Sequence, residues 1–317
     1  MITAYYHPDF AAPIGRHIMP IRKFALVADG LRAFPGPALS PSRGVCLAEP
    51  APATEDELRR VHTSQYIEAV RTGVPRALAE SQKFPWSPEL FASVCRTNGG
   101  CLAAGRQAMR DGVAAALASG FHHAHADHGE GFCTFHGLVV AAEALKAGGE
   151  ARTVSILDLD LHYGNGTAAL AVTRPWLTVL SIYGSDYQDN QDYPDVRVRR
   201  HTDGPNHRSV ALPGGCDGPR LMETLEQHLP ELLKGGRPEL LFYQAGADPL
   251  RDDPYSPLAL SEADLLERDQ RVFEFARRHS VPVAWVLAGG YTRDVTKVVR
   301  VHLNTFSAAV GIFGGGV

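Results

Sequence analysis

Four short runs in the chain, 153–158, 176–182, 240–244 and 281–287, are apolar on both faces and rich in β-branched residues. A strand without a polar face has to be covered on both sides, as in a parallel sheet held between helices. The intervening segments supply those helices. Residues 139–146 stop at Gly148-Gly149, 220–234 and 261–279 carry helical apolar spacing, and a last helix starts near Thr292-Arg293-Asp294. Further upstream, 54–72 shows a helical period after a Thr cap followed three residues later by Glu. Residues 88–118 read as one Ala-rich helix or two, interrupted at Gly99-Gly100. Strands alternating with helices predict an open, doubly wound α/β domain. With no repeat and no break in composition, residues 1–317 read as a single domain. The stretch 184–218 is a long irregular excursion, of a length that often carries function in such domains.

Composition excludes several classes. With 44% hydrophobic and 21% charged residues the chain is of ordinary globular make-up. A net charge of −4 gives no basic footprint for nucleic acid or for an anionic membrane. No apolar run approaches the length of a membrane span, and the N-terminal MITAYYHPDF lacks the features of a secretory signal. Five cysteines without a C-x-x-C pair suggest reduced thiols, so the expected setting is cytoplasmic.

The chemistry gathers where strands end. One run leads into Asp158, Asp160 and His162 (TVSILDLDLHYGNG), another into Asp248 (ELLFYQAGAD), a third into Gly-Gly-Tyr291 (VPVAWVLAGGY). Ligands of open parallel sheets bind beyond the carboxyl ends of the strands, so these groups are expected to converge on one edge. The i, i+2, i+4 spacing puts Asp158, Asp160 and His162 on one face of an extended segment. One imidazole and two carboxylates from two strand ends can hold a divalent metal and leave a position open for water and substrate. A solvated loop with capping carboxylates is the plainer reading of Asp-x-Asp-x-His alone; the two other polar strand ends argue against it.

SGFHHAHADHGEGF carries four histidines, His122, His123, His125 and His128. The adjacent pair after Gly-Phe suits acid–base work near neutral pH, whereas His125 and His128 read as a surface loop. Cys133 is read as a small buried residue rather than a nucleophile, and Trp86, Trp176 and Trp285 as core or near-core. Asp252-Asp253 reads as structural, and the basic run of Arg197, Arg199, Arg200 and His201 as solvated.

GFHHA…GEGFC, DLDLHYGNG, AGADPL…DP and LAGGY, in that order over about 118–291, resemble the signature segments of the histone-deacetylase superfamily. That group takes in deacetylases, acetylpolyamine amidohydrolases and acetoin-utilisation proteins. YYHPDF and RVHTSQYIEAV extend the resemblance over nearly the whole chain, and ERDQRVFEFARRHSVPVAWVLAGGY with FPWSPELF is most similar to class IV-like bacterial members. The resemblance implies the arginase/deacetylase fold, with a central, mostly parallel sheet of about eight strands flanked by helices. It implies Asp160, His162 and Asp248 as ligands of Zn2+, a donor set that also accepts Fe2+. His122 and His123 match the tandem histidines, the second as general base and acid. Tyr291 matches the tyrosine that hydrogen-bonds the substrate carbonyl. Phe132, with Gly131, Gly289 and Gly290, matches the acyl-lysine tunnel. Asp158 matches the partner of His122 and, with Asp160, His162, Ser181 and Ile182, a structural K+ or Na+ site. The implied substrates are acylated lysine in protein or peptide, or an acylated polyamine or small amine.

Some positions depart from the best-known pattern. Asn165 stands where an Asp often backs the second histidine, and lowers the expected pKa of His123. Tyr163 follows His162, His136 sits where Asn or Asp is usual, SIYGSDYQDNQDYP only loosely resembles the family's loop, and no rim Asp is placed. Two other readings stay open. One is a catalytically weak or inactive binding protein of the same type. The other is an arginase- or agmatinase-like binuclear ureohydrolase, suggested by His123-Ala-His125-Ala-Asp127, although only one carboxylate follows Gly-Ala at Asp248.

Overall fold

The computed structural model describes residues 1–15, 17–33, 44–186 and 204–314. The eight strands are β1 (Ile2–Tyr5), β2 (Val45–Ala48), β3 (Val113–Ala116), β4 (Val154–Asp158), β5 (Leu177–Tyr183), β6 (His207–Ala211), β7 (Leu240–Gln244) and β8 (Val283–Val286). They form one sheet in the order β2-β1-β3-β8-β7-β4-β5-β6, and every neighbouring pair is parallel. Because β7 and β8 insert between β3 and β4, the chain reverses direction across the middle of the sheet. Loops leaving the carboxyl ends on either side of such a point open a crevice.

Among the described residues ten α-helices accompany the strands: α1 (Lys23–Ala33), α2 (Glu55–Arg59), α3 (Ser64–Thr72), α4 (Arg76–Ala79), α5 (Pro88–Asp111), α6 (Gly137–Ala147), α7 (Asn165–Ala171), α8 (Gly218–His228), α9 (Glu262–Arg278) and α10 (Val295–Phe313). α5 packs with α6, while α1, α10, α9 and α8 pack in succession. β4, β7 and β8 are buried along their whole length, as strands covered on both faces must be. Trp285 of β8 is fully buried between Phe273 of α9 and Phe306 of α10, with ring centroids 5.2 and 4.9 Å away.

Local signals set most boundaries. Thr54 and Ser261 close capping boxes at the starts of α2 and α9, and Thr63 caps α3, dividing the 54–72 segment in two. His136 caps α6 by accepting a hydrogen bond from Val139 N, the service Asn or Asp renders at such a position. Two expectations are corrected. α5 runs through Gly99-Gly100 without a break, because a Cβ at Gly99 would lie 1.9 Å from the Ala51 carbonyl oxygen; the glycine serves close approach. The helix stops at Gly112, in the left-handed region at φ 87°, and 113–116 forms the strand β3. Pairing with β1 and β8 overrides the helical preference of Val-Ala-Ala-Ala. The 184–218 excursion contains the edge strand β6; Arg197, Arg199, Arg200 and His201 lie outside the described residues. Among the described residues no helix is long and apolar enough to cross a membrane.

Candidate active site

The loops after β3, β4, β7 and β8 deliver the predicted groups to one place. Asp160, His162 and Asp248 are all buried, and each offers a ligand atom within 4.8 Å of the others. His162 Nδ1 stands 3.2 Å from Asp160 Oδ1 and 3.1 Å from Asp248 Oδ2. Backbone amides aim the carboxylates: Gly289 N donates to Asp160 Oδ2 at 2.7 Å, and Leu161 N to Asp248 Oδ1 at 3.1 Å. Below them the buried Arg268 donates to the carbonyls of Leu159 (3.3 Å) and Gly246 (2.7 Å), tying the segments that carry Asp160 and Asp248 together.

The donor set fits a divalent cation. Burial raises the carboxyl of Asp248 to about 6, with the charge of Asp160 adding to the rise. Burial pulls His162 down, but the two carboxylates outweigh it and hold the imidazole up to about 10. The pair of carboxylates thus demands a positive charge, and a metal would displace that proton.

His122 and His123 lie beside this group, with ring centroids 4.0 Å apart and the ring of His123 6.1 Å from that of His162. His122 Nδ1 donates to Asp158 Oδ2 at 2.7 Å. Burial lowers the His122 pKa, and the nearby Asp158 and Asp160 charges overcome it and raise it. His123 Nδ1 faces Asn165 Oδ1 at 2.7 Å. Its pKa falls well below normal chiefly through burial, then through His122 and His162; the hydrogen bond to Asn165 acts in the opposite direction. Neutral His123 is therefore the work of its surroundings more than of Asn165.

Tyr291 sits across from His162 with centroids 6.0 Å apart, edge-on to Tyr255 at 5.4 Å and 6.3 Å from Phe132. Its backbone N–H donates to Asp253 Oδ2 at 2.6 Å, which gives Asp253 the structural role expected of it. Phe132 stacks on Phe84 (5.7 Å, 20°), and His17 presents its edge to both. These rings make an apolar wall. Gly289 lies against the ligands, since a Cβ there would come within 2.0 Å of Asp248 Oδ2. Phe121, Phe132 and Ala288 all adopt positive φ (61°, 64° and 54°), so three strained non-glycine residues lie among or next to the residues of the site. Gly131 and Gly290 share that region of φ at 50° and 138°.

Asp158 pairs in register with Ser181 across β4 and β5. The buried Ser181 hydroxyl has no hydrogen-bond partner among the described residues, which leaves an oxygen available to a cation beside Asp158. Cys133 is buried and its thiol pKa is raised by burial, as a packing residue's would be; all five cysteines are free.

His125 turns away from the Asp160 group. It stacks on His128 (4.5 Å, 7°) and approaches Glu130, and these three form a second, partly exposed cluster. The run His123-Ala-His125-Ala-Asp127 therefore does not gather around one metal pair.

Several residues at the site have no role that the sequence assigns. Lys23, on the buried face of α1, is fully enclosed, and its ammonium donates to the carbonyl of Ala288. Burial lowers its pKa to about 8 against the pull of Asp248, Asp160 and Asp253. Arg268, Phe84, His17 and Glu130 belong to the same group. Glu130 stands inside the GEGFC motif, Phe84 inside FPWSPELF and Arg268 inside ERDQRVFEFARRHSVPVAWVLAGGY, so motif membership is their only flag.

The histone deacetylase domain model matches residues 17–306, and the chain belongs to that family. It is 29% identical over 310 residues to an uncharacterized protein of a Picosynechococcus species, covering 97% of this chain and 98% of that one. It is 27% identical over 269 residues to histone deacetylase 2 of Arabidopsis thaliana, covering 82% and 67% respectively. The structure superimposes on the acetylpolyamine aminohydrolase of Burkholderia pseudomallei with a TM-score of 0.77 at 20% identity, over 98% and 99% of the two chains. At that identity the likeness establishes the arginase/deacetylase type of fold.

Proposed function

We propose that this protein is a zinc-dependent amide hydrolase that removes an acyl group, acetyl in the first instance, from an acylated primary amine such as acyl-lysine or an acylated polyamine. The observation that carries the reading is the convergence of the buried Asp160, His162 and Asp248 with His123 and Tyr291 at the strand ends. Two carboxylates and an imidazole suit Zn2+ and accept Fe2+. A metal bound there would supply Lewis acidity toward water and the amide carbonyl.

The chain's own residues do the rest. Phe132 and Phe84 wall the methylene stem of the amine and exclude bulk water. His123, neutral at rest, takes the proton of the attacking water on Nε2 and hands it to the leaving amine, so the products are an amine and a carboxylate. His122, held by Asp158, keeps positive charge near the developing oxyanion. The hydroxyl of Tyr291 donates to that oxyanion, a contribution of about 3 kcal/mol in a dry site. Ser181, Asp158 and backbone oxygens nearby suit a structural K+ or Na+.

The test is a screen that crosses acyl length with acylated lysine peptides and acylated polyamines, on protein loaded separately with Zn2+ and Fe2+. Release of carboxylate with one metal bound per chain supports the reading. Two metals per chain with urea release from a guanidino substrate, or no hydrolysis across the panel, would overturn it.

A further inference from the structure

Glu130 is a feature of the site that the mechanism above leaves unused. Its side chain is largely buried, at 12% exposure, and Oε2 accepts a hydrogen bond from Asn165 Nδ2. His125 Nε2 lies 3.2 Å from the same oxygen. On its other side the Asn165 amide presents Oδ1 to His123 Nδ1 at 2.7 Å. The three side chains therefore form one line from the surface cluster to the histidine beside the metal group.

The line has a direction. An ionised carboxylate offers acceptors only, so the amide must turn its NH2 toward Glu130. A flipped amide would set oxygen against oxygen. With NH2 committed, Oδ1 is committed to His123, and an acceptor at that position requires the proton on Nδ1. The Nε2 of His123 then carries no proton. Burial raises the Glu130 pKa, yet the hydrogen bonds from His125 and Asn165 outweigh it and keep the carboxyl low. An aspartate in place of Asn165 would need no such partner, since both of its oxygens accept. The amide does need one.

We infer that Glu130 is a positioning residue that fixes the amide of Asn165 and, through it, the Nδ1–H tautomer of His123. This rests on the reading of His123 as the base. Glu130→Gln retains size and hydrogen bonding but accepts either orientation of the amide, so it removes the bias alone.

Two measurements on the full-length protein test the inference. In the first, long-range 1H–15N spectra of 15N-histidine-labelled protein, with and without Zn2+, report the His123 tautomer, assigned by its loss in His123→Gln. Wild type should hold the proton on Nδ1, and Glu130→Gln should show a mixture. In the second, Glu130→Gln should lower kcat by about tenfold with KM changed less than about twofold. In the Asn165→Asp background Glu130 faces a second carboxylate, so Glu130→Gln should leave kcat unchanged or raise it. Loss by the same factor in both backgrounds, an unchanged tautomer, or a second zinc ion bound through Glu130 would overturn the inference. Failure of wild type to hydrolyse any acylated amine would instead overturn the functional reading and leave the tautomer measurement standing.

Discussion

Lys23 and Ala288, 265 residues apart in sequence, meet in the core beneath the site, where the lysine ammonium donates to the alanine carbonyl. Ala288 is in the left-handed region at φ 54°, immediately before the glycine whose amide holds Asp160. The lysine thus anchors a strained turn that aims the Asp160 carboxylate.

Replacing Lys23 by Met removes that donor and leaves a buried carbonyl unpaired, a loss of about 1–3 kcal/mol. The expected result is a fall in melting temperature of several degrees, measured by circular dichroism on metal-free protein. An unchanged melting temperature would refute the anchoring role.

Gly289→Ala places a Cβ 2.0 Å from Asp248 Oδ2 and 2.6 Å from Asp160 Oδ2. The two carboxylates must move, and if they hold the metal as proposed, metal affinity should drop by about 10–100-fold, as for other disturbed ligand settings. Competition with a chromophoric chelator measures it. Gly214→Ala, with nothing within 4 Å of the added Cβ, should bind metal as wild type does.

Tyr291→Phe keeps the ring contacts with Phe132, Tyr255 and His162 and loses only the hydroxyl. If that hydroxyl stabilises the oxyanion, kcat should fall by about 10²–10³-fold with metal content unchanged. Near-normal turnover would remove Tyr291 from the mechanism.

Acid sensitivity should come from buried histidines. Burial drives the His62 pKa from 6.5 to about 3, and holds those of His136 and His302 well below normal. As pH falls from 6.5 toward 3 the unfolded chain takes up protons that the folded one refuses. Stability present above pH 6.5 is therefore lost on acidification, at about 1.4 kcal/mol per pH unit for His62, with His136 and His302 acting in the same direction. His62→Gln should flatten the decline by one histidine's share between pH 6 and 4.5, read from urea midpoints. An identical slope in wild type and variant would show that His62 does not contribute.

What the sequence made legible was whatever repeats locally. Strands 240–244 and 281–287 announced themselves because burial on both faces leaves an unbroken apolar run, and their polar ends marked the site. β3 did not, because Val-Ala-Ala-Ala suits a helix and becomes a strand only through neighbours 111 and 170 residues distant, Thr3 and Val283, that pair with Ala114 and Val113. The burial of Lys23 and Arg268 was illegible for a related reason. Each is a charged residue on a helix, ordinarily a solvated one, and only the packing of that helix against the sheet turns it inward.

The strand order also dictates when the site can exist. β7 and β8 are late in sequence yet occupy the middle of the sheet. A chain emerging from its N-terminus carries His122, His123, Asp160 and His162 long before Asp248, Gly289 and Tyr291 are available to join them. Until the last strands wedge between β3 and β4, the two halves of the pocket belong to separate sheet edges. Assembly of the Asp160, His162 and Asp248 group is thereby coupled to completion of the fold, and truncated products carry an incomplete set of these side chains.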